Sequence, residues 1–165
     1  MGSEMCIRDR HWTEAAALGE ACRLAMLLLL APIWRRYEIT HSYTIILIRK
    51  QAQIMHKLSH VSQHAPEPWL SDLLLWVLCI STIEAIAWAA SANLEDGRQE
   101  AHLLVQRLVS APRRIAASAG VPLRGKENIE AVLKRVSWVD SVLDHGVVHL
   151  ASLLQHEKPI TPPPL

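Results

Sequence analysis

Three histidines recur at every fourth position in HKLSHVSQH: His56, His60 and His64. On a helix this spacing stacks three imidazoles along one side. Two His at i and i+4 can share a zinc ion, as in His-Glu-x-x-His helices. Here the Glu is absent and no fourth ligand is indicated, so a solvated polar face is the competing reading. His145 and His149 repeat the spacing with the same lack. Glu84 is a lone carboxylate inside an apolar run, where burial can raise its pKa and fit it for proton transfer. The competing reading places it on the least buried edge of a helix or bonds it to a neighbouring helix. Asp140 and Asp144, beside Trp138, form either a small acidic face or the end of a helix closed by Gly146. Arg113, Arg114, Arg124 and Lys126 gather four cations able to meet phosphate or an acidic partner. Without interleaved aromatics or a basic excess they read as solvated surface. There is no Gly-rich phosphate loop, no nucleophile elbow and no Cys-x-x-Cys pair. The expectation is a chain that is not an enzyme and holds no cofactor or metal of its own.

The elements that must position these residues read as helices. TEAAALGEACRLAMLLLLAPIWRRY has good helix formers, with Thr13 as its cap and Pro32 ending or kinking it. Its apolar run Leu24–Ala31 is too short to span a bilayer, and Trp34 and Tyr37 are expected to continue the packing surface. THSYTIILIRKQAQIMHKLSHVSQH starts β-branched, which leaves its first turn open between helix and strand. From Ile48 the spacing is helical, with Ile54 or Met55, Leu58 and Val61 near one face. APEP, residues 65–68, is a break. The segment 71–92 follows, capped by Ser71 and stopped near Asn93, and apolar nearly all round. Its length suffices for a membrane span, but Glu84, Ser81, Thr82 and the acidic flanks argue for a central core helix. EDGRQEAHLLVQRLVSAPRRIAASAG is a helix with Leu103, Leu104, Leu108 and Ile115 apolar, divided at Pro112. VPLRGKENIEAVLKRVSWVDSVLDHG puts Ile129, Val132, Leu133, Val136, Val139 and Leu143 at helical spacings, with Gly146 as its punctuation. A short helix and the Pro-rich tail 157–165 close the chain.

Composition sets the outer limits. The 165 residues are half hydrophobic, enough for one core, and carry 17 Lys and Arg against 16 Asp and Glu. A net charge of +1 gives no long-range field favouring nucleic acid or an anionic membrane. Cys22 and Cys79 lie in apolar runs and read as small core residues of a reducing compartment. Cys6 belongs to the opening stretch MGSEMCIRDR, which has no apolar period, no cap and no signal-peptide layout. Met1–Asp9 resembles a translated transposon-type sequencing adapter. Residues 1–10 are therefore expected to be non-native and disordered, with Ile7 packing on nothing and the native amino-terminal part missing.

Three stretches, in order, resemble one family. EACRLAMLLLLAPIWRRY, with Glu20, Cys22 and Arg23, is similar to a helix in the carboxy-terminal regulatory region of fungal zinc-cluster transcription factors. LLLWVLCISTIEA, with Leu75 and Trp76, resembles the Leu-Trp-Val-Leu helix that follows there. VLKRVSWVDSVLD, with Leu133, Trp138 and Asp140, resembles its later amphipathic element. Where the family carries an aromatic-rich segment between the second and third elements, this chain has HLLVQRLV. The resemblance implies an all-α regulatory domain over residues 11–156, about six helices around 71–92. It implies a nuclear, non-catalytic interaction domain of a transcription regulator, with protein partners or other domains of the full-length regulator. Leu75, Trp76, Leu133, Val136 and Trp138 are then expected to be structural. DNA in the family is read by a separate amino-terminal cluster of six Cys and two zinc ions, which this chain lacks. Direct sequence-specific DNA binding and membrane association are not expected. The alternative readings are a membrane-associated helical protein built on Leu24–Ala31 and Leu73–Ala92, and a His-based metal-binding protein.

Overall fold

A computed structural model describes residues 14–37, 41–58, 68–91, 125–137 and 140–156, with isolated positions at 105–106, 116, 120 and 123. The chain is all-α, and no strand occurs among the described residues. The helices are α1 (Glu14–Leu29), α2 (Ala31–Arg36), α3 (His41–Leu58), α4 (Pro68–Ser91), α5 (Lys126–Val136) and α6 (Asp140–His156). The opening stretch with Ile7, Thr13, Val61, Asn93, the leucines at 103, 104 and 108, Ile115 and the Pro-rich tail lie outside the described residues.

Packing of α1 on α3 follows from matching rows. Ala17, Ala21, Leu24 and Leu28 are buried at spacings of four and three, and Ala31 carries the row into α2. Thr44, Ile48, Gln51, Met55 and Leu58 form the same kind of row on α3. Such rows mesh when two helices lie nearly aligned, and α1 and α3 pack on one another. The β-branched start of α3 is helical from His41. Thr44 is buried there, so tertiary packing decides what propensity left open.

Pro32 sits in the first turn of α2, where its missing N–H costs nothing. The helix breaks just before it, at Leu30, which keeps right-handed helical angles (φ −84°, ψ −11°). Leu30 donates to the Leu27 carbonyl at 3.1 Å and accepts from Ile33 and Trp34 at 3.0 and 3.1 Å. The face of α1 therefore continues into α2. Tyr37 does not extend the packing surface as expected; it is 71% exposed, beyond the last helical residue.

Every residue of α4 from Leu74 through Ala85 is buried. A helix apolar on all sides must be surrounded, and α1, α3, α5 and α6 all touch it. Each large aliphatic side chain enclosed this way contributes about 1.5–3 kcal/mol. Ser81 and Thr82 tolerate burial because their hydroxyls donate within the helix, to Val77 O at 2.6 Å and Leu78 O at 2.7 Å. The helix starts at Pro68, not at Ser71: proline suits a first turn, and Ser71 is buried inside the helix rather than capping it.

Gly125 precedes α5 at φ 84°, a left-handed conformation that favours glycine. Three expectations fail beyond it. The single period from Ile129 to Leu143 is broken at Ser137, whose backbone is extended (φ −161°, ψ 137°). Ile129, Val132 and Leu133 are buried on α5, but Val136 at its end is 39% exposed, so it is not the core residue expected. Leu143 is buried on the next helix. Nor does Gly146 end anything. It lies inside α6, where a Cβ would overlap Ile83 Cγ2 of α4. Its missing side chain lets the two helices approach.

Candidate functional site

Glu84 of the central helix pairs with Arg35 of α2. Arg35 Nη1 donates to Glu84 Oε2 at 2.5 Å, and Nη2 to Oε1 at 3.3 Å. This fork-on-fork pairing suits guanidinium and carboxylate geometry. The Glu84 side chain is 3% exposed and that of Arg35 25%. Burial pushes the Glu84 carboxyl above the ordinary glutamate value of 4.5, and the Arg35 guanidinium offsets part of that rise. Glu84 is thus not on an exposed edge; it is bonded to a neighbouring helix. The arrangement anchors α2 to α4.

At the other end of α4, the Trp76 indole Nε1–H donates to Ser137 O at 3.0 Å. Trp76 is 2% exposed and Leu75 and Leu133 are fully buried. Arg135 Nη1 reaches Asp72 Oδ1 at 2.9 Å. That second pair is largely solvent-facing and worth under about 1 kcal/mol. It fixes direction: the end of α5 lies along the start of α4.

The other residues singled out from the sequence are scattered. Glu20 and Arg23 pair along the surface of α1 at 2.6 and 2.7 Å. The Arg23 hydrogen bond, with help from Lys50, holds the Glu20 carboxyl below its usual value. Cys22 is half-buried on the same helix, and burial raises its thiol. Cys79 is fully buried in α4 and pushed up to about 12, a small core residue with no thiolate at neutral pH. His56 and His149 are exposed on α3 and α6, different helices. His60 and His64 lie outside the described residues, as do Trp138, Arg113, Arg114 and Arg124. Asp140, Asp144 and His145 fall in α6, and Lys126 starts α5, bonded to Glu130 at 3.2 Å. Among the described residues no three His, Cys, Asp or Glu side chains come together to hold a metal ion.

Sequence reasoning missed Gln51. It is fully buried in the α3 row, and neither its Nε2 nor its Oε1 has a hydrogen-bond partner among the described residues. Only its place among Thr44, Ile48, Met55 and Leu58 signals this. It missed too that Ala15–Arg36, read through the Leu30 turn, is a 22-residue apolar stretch long enough to cross a membrane by length and composition. Trp69–Ala90 is the second such stretch, and it is mostly buried by its neighbours.

What the described residues build is a packed helical body with paired charges and broad exposed faces. No family model, curated protein or solved structure matches the chain.

Proposed function

We propose that the chain is a non-catalytic regulatory and interaction domain of a fungal transcription regulator, acting in the nucleus on RNA polymerase II transcription. DNA reading and its zinc belong to a separate module. One observation carries this reading: the three family-like stretches fall on helices that pack on one another. Glu20, Cys22 and Arg23 lie on α1, Leu75 and Trp76 on α4, and Leu133 on α5, and α4 touches the other two. A helical body of this kind acts by presenting faces to other domains or coactivators.

Joining the full chain to a heterologous DNA-binding module tests it. The fusion is expected to change transcription of a reporter relative to the module alone. A folded fusion at equal abundance that leaves the reporter unchanged overturns the reading. Genomic DNA upstream of the His11 codon is expected to encode six closely spaced Cys; an in-frame start without them removes the link to zinc-cluster regulators.

A membrane-associated protein is the second reading, favoured by the two 22-residue apolar stretches, the first of which is less than half buried. Recovery of the chain in the soluble fraction without detergent ends that reading.

A further inference from the structure

Among the described residues, Gln51 is the buried side chain whose polar atoms lack a hydrogen-bond partner. The buried polar groups of α4 differ: Ser81 and Thr82 donate to their own helix, and Glu84 accepts from Arg35. A buried amide left unbonded has lost its water without replacement, so it weakens the hold of the helix that carries it. That helix is α3.

The apolar hold on α3 is modest as well. Over its 18 residues four large apolar side chains are buried, Ile48, Ile54, Met55 and Leu58, while Thr44 and Gln51 fill two further buried positions. The facing surface of α1 is made of small residues where Gln51 lies. The Glu20 carboxyl is lowered first by its Arg23 hydrogen bond and then also by the charge of Lys50, so Lys50 lies across the seam from Glu20. Gln51 is thereby set near the level of Ala21, and Ala17, Ala21 and Ala25 are all buried around that level. Alanine withdraws much less apolar area from water than leucine does. The shorter helices α2 and α5 are tied to α4 by side-chain bonds, Arg35 to Glu84 and Trp76 to Ser137 O.

Local opening starts where apolar contact is sparse and polar groups gain on hydration. We infer that α3 is a cover poised to open: it leaves α1 and α4 as a unit, ahead of the rest of the body, because release hydrates the Gln51 amide. What it uncovers is the Ala17–Ala21–Leu24–Leu28 row of α1, closed to solvent while α3 is in place. The helices α1, α2 and α4 stay together in the open state, since α4 touches α1 directly and Arg35 still holds Glu84. This device belongs to the fold and is independent of the transcriptional reading.

Native-state hydrogen exchange of the full chain in low denaturant tests it, read helix by helix. Amides of α3 are expected to exchange about tenfold faster or more than those in the middle of α4. Their denaturant dependence should be weaker, because a partial opening exposes less surface than unfolding does. Gln51→Met is expected to slow the α3 amides about tenfold. Trp76→Phe, which removes a bond between α4 and the end of α5, is expected to speed exchange in α4 and leave α3 unchanged. A second readout follows the uncovered row. With Cys6 and Cys22 replaced by Ala, Ala21→Cys is expected to react with a thiol reagent faster than the fully buried Cys79. Adding Gln51→Met should slow that reaction by the same factor as the exchange. Equal exchange of α3 and α4 in the parent overturns the proposal, and so does a Trp76→Phe effect that is the same in both helices. If the α3 amides of Gln51→Met exchange as fast as the parent's, or faster, the amide is not the source of the opening and the proposal fails. An Ala21→Cys thiol no more reactive than Cys79 would deny α3 the role of a cover and sink it equally.

Discussion

The indole N–H of Trp76 points at the carbonyl of Ser137, 3.0 Å away, tying the buried central helix to the break between α5 and α6. Trp76→Phe keeps the aromatic bulk and removes the donor. It is expected to cost about 1–3 kcal/mol by leaving the carbonyl under-satisfied. Trp76→Ala adds a cavity and is expected to cost about 3–5 kcal/mol. Urea midpoints order the three proteins; equal midpoints for Trp and Phe would show that the bond contributes nothing.

The Arg35–Glu84 pair predicts a non-additive mutant cycle. Arg35→Met leaves a buried carboxylate unpaired and is expected to cost about 3–5 kcal/mol. Glu84→Leu alone leaves a cation that is partly exposed and costs less. The double variant is expected to match or exceed the parent, because desolvation of both ions is removed together. Chemical denaturation of the four proteins gives the coupling, and additive single costs would refute it.

A pH dependence follows from the same carboxyl. Its folded pKa lies above 4.5 because it is buried. Below 4.5 it is protonated in both states and exacts no penalty. As pH rises from 4.5 through the raised value, the folded state holds the proton longer than the unfolded state, so stability falls. Above that value the loss is complete and constant. Relative to Glu84→Gln, the parent is therefore expected to lose stability over that window. A parent that gained stability there would show the opposite shift.

Gly146→Ala is expected to destabilise by about 1–3 kcal/mol, because the new methyl meets Ile83 Cγ2. In an Ile83→Ala background, where the obstructing methyl is gone, Gly146→Ala is expected to cost less than it does in the parent. A stabilised Gly146→Ala would indicate that only helix propensity matters at this position.

Gln51→Met keeps the length of the side chain and deletes two orphaned polar groups. It is expected to stabilise by about 1–3 kcal/mol, read from the denaturation midpoint. A loss would mean that the amide has a partner, such as a buried water.

These residues also show how far sequence reaches. The centrality of α4 is legible because no face of it is polar enough to meet water, and the core rows on α1 and α3 are legible from their spacing. Glu84's pairing with another helix is one of the two readings its setting allows, although the partner Arg35 is not named by any local pattern. The break at Ser137 is not legible, since the apolar period passes through it and the carbonyl exposed there is met by Trp76, far away in sequence. Gly146 looks like a stop for the same reason: the side chain that requires its smallness belongs to α4. Val136 carries the right period and sits one residue before the extended Ser137 that ends α5.

The ion pair between α2 and α4 has a kinetic consequence. Detaching α2 by itself would strand the Glu84 carboxylate in an apolar interior without its counter-ion, so the barrier to that local opening includes the cost of an unpaired buried charge. The amides of α1, α2 and the middle of α4 should therefore exchange with solvent hydrogen as one cooperative unit, with a common opening free energy. In Arg35→Met that unit splits, and the short helix frays first.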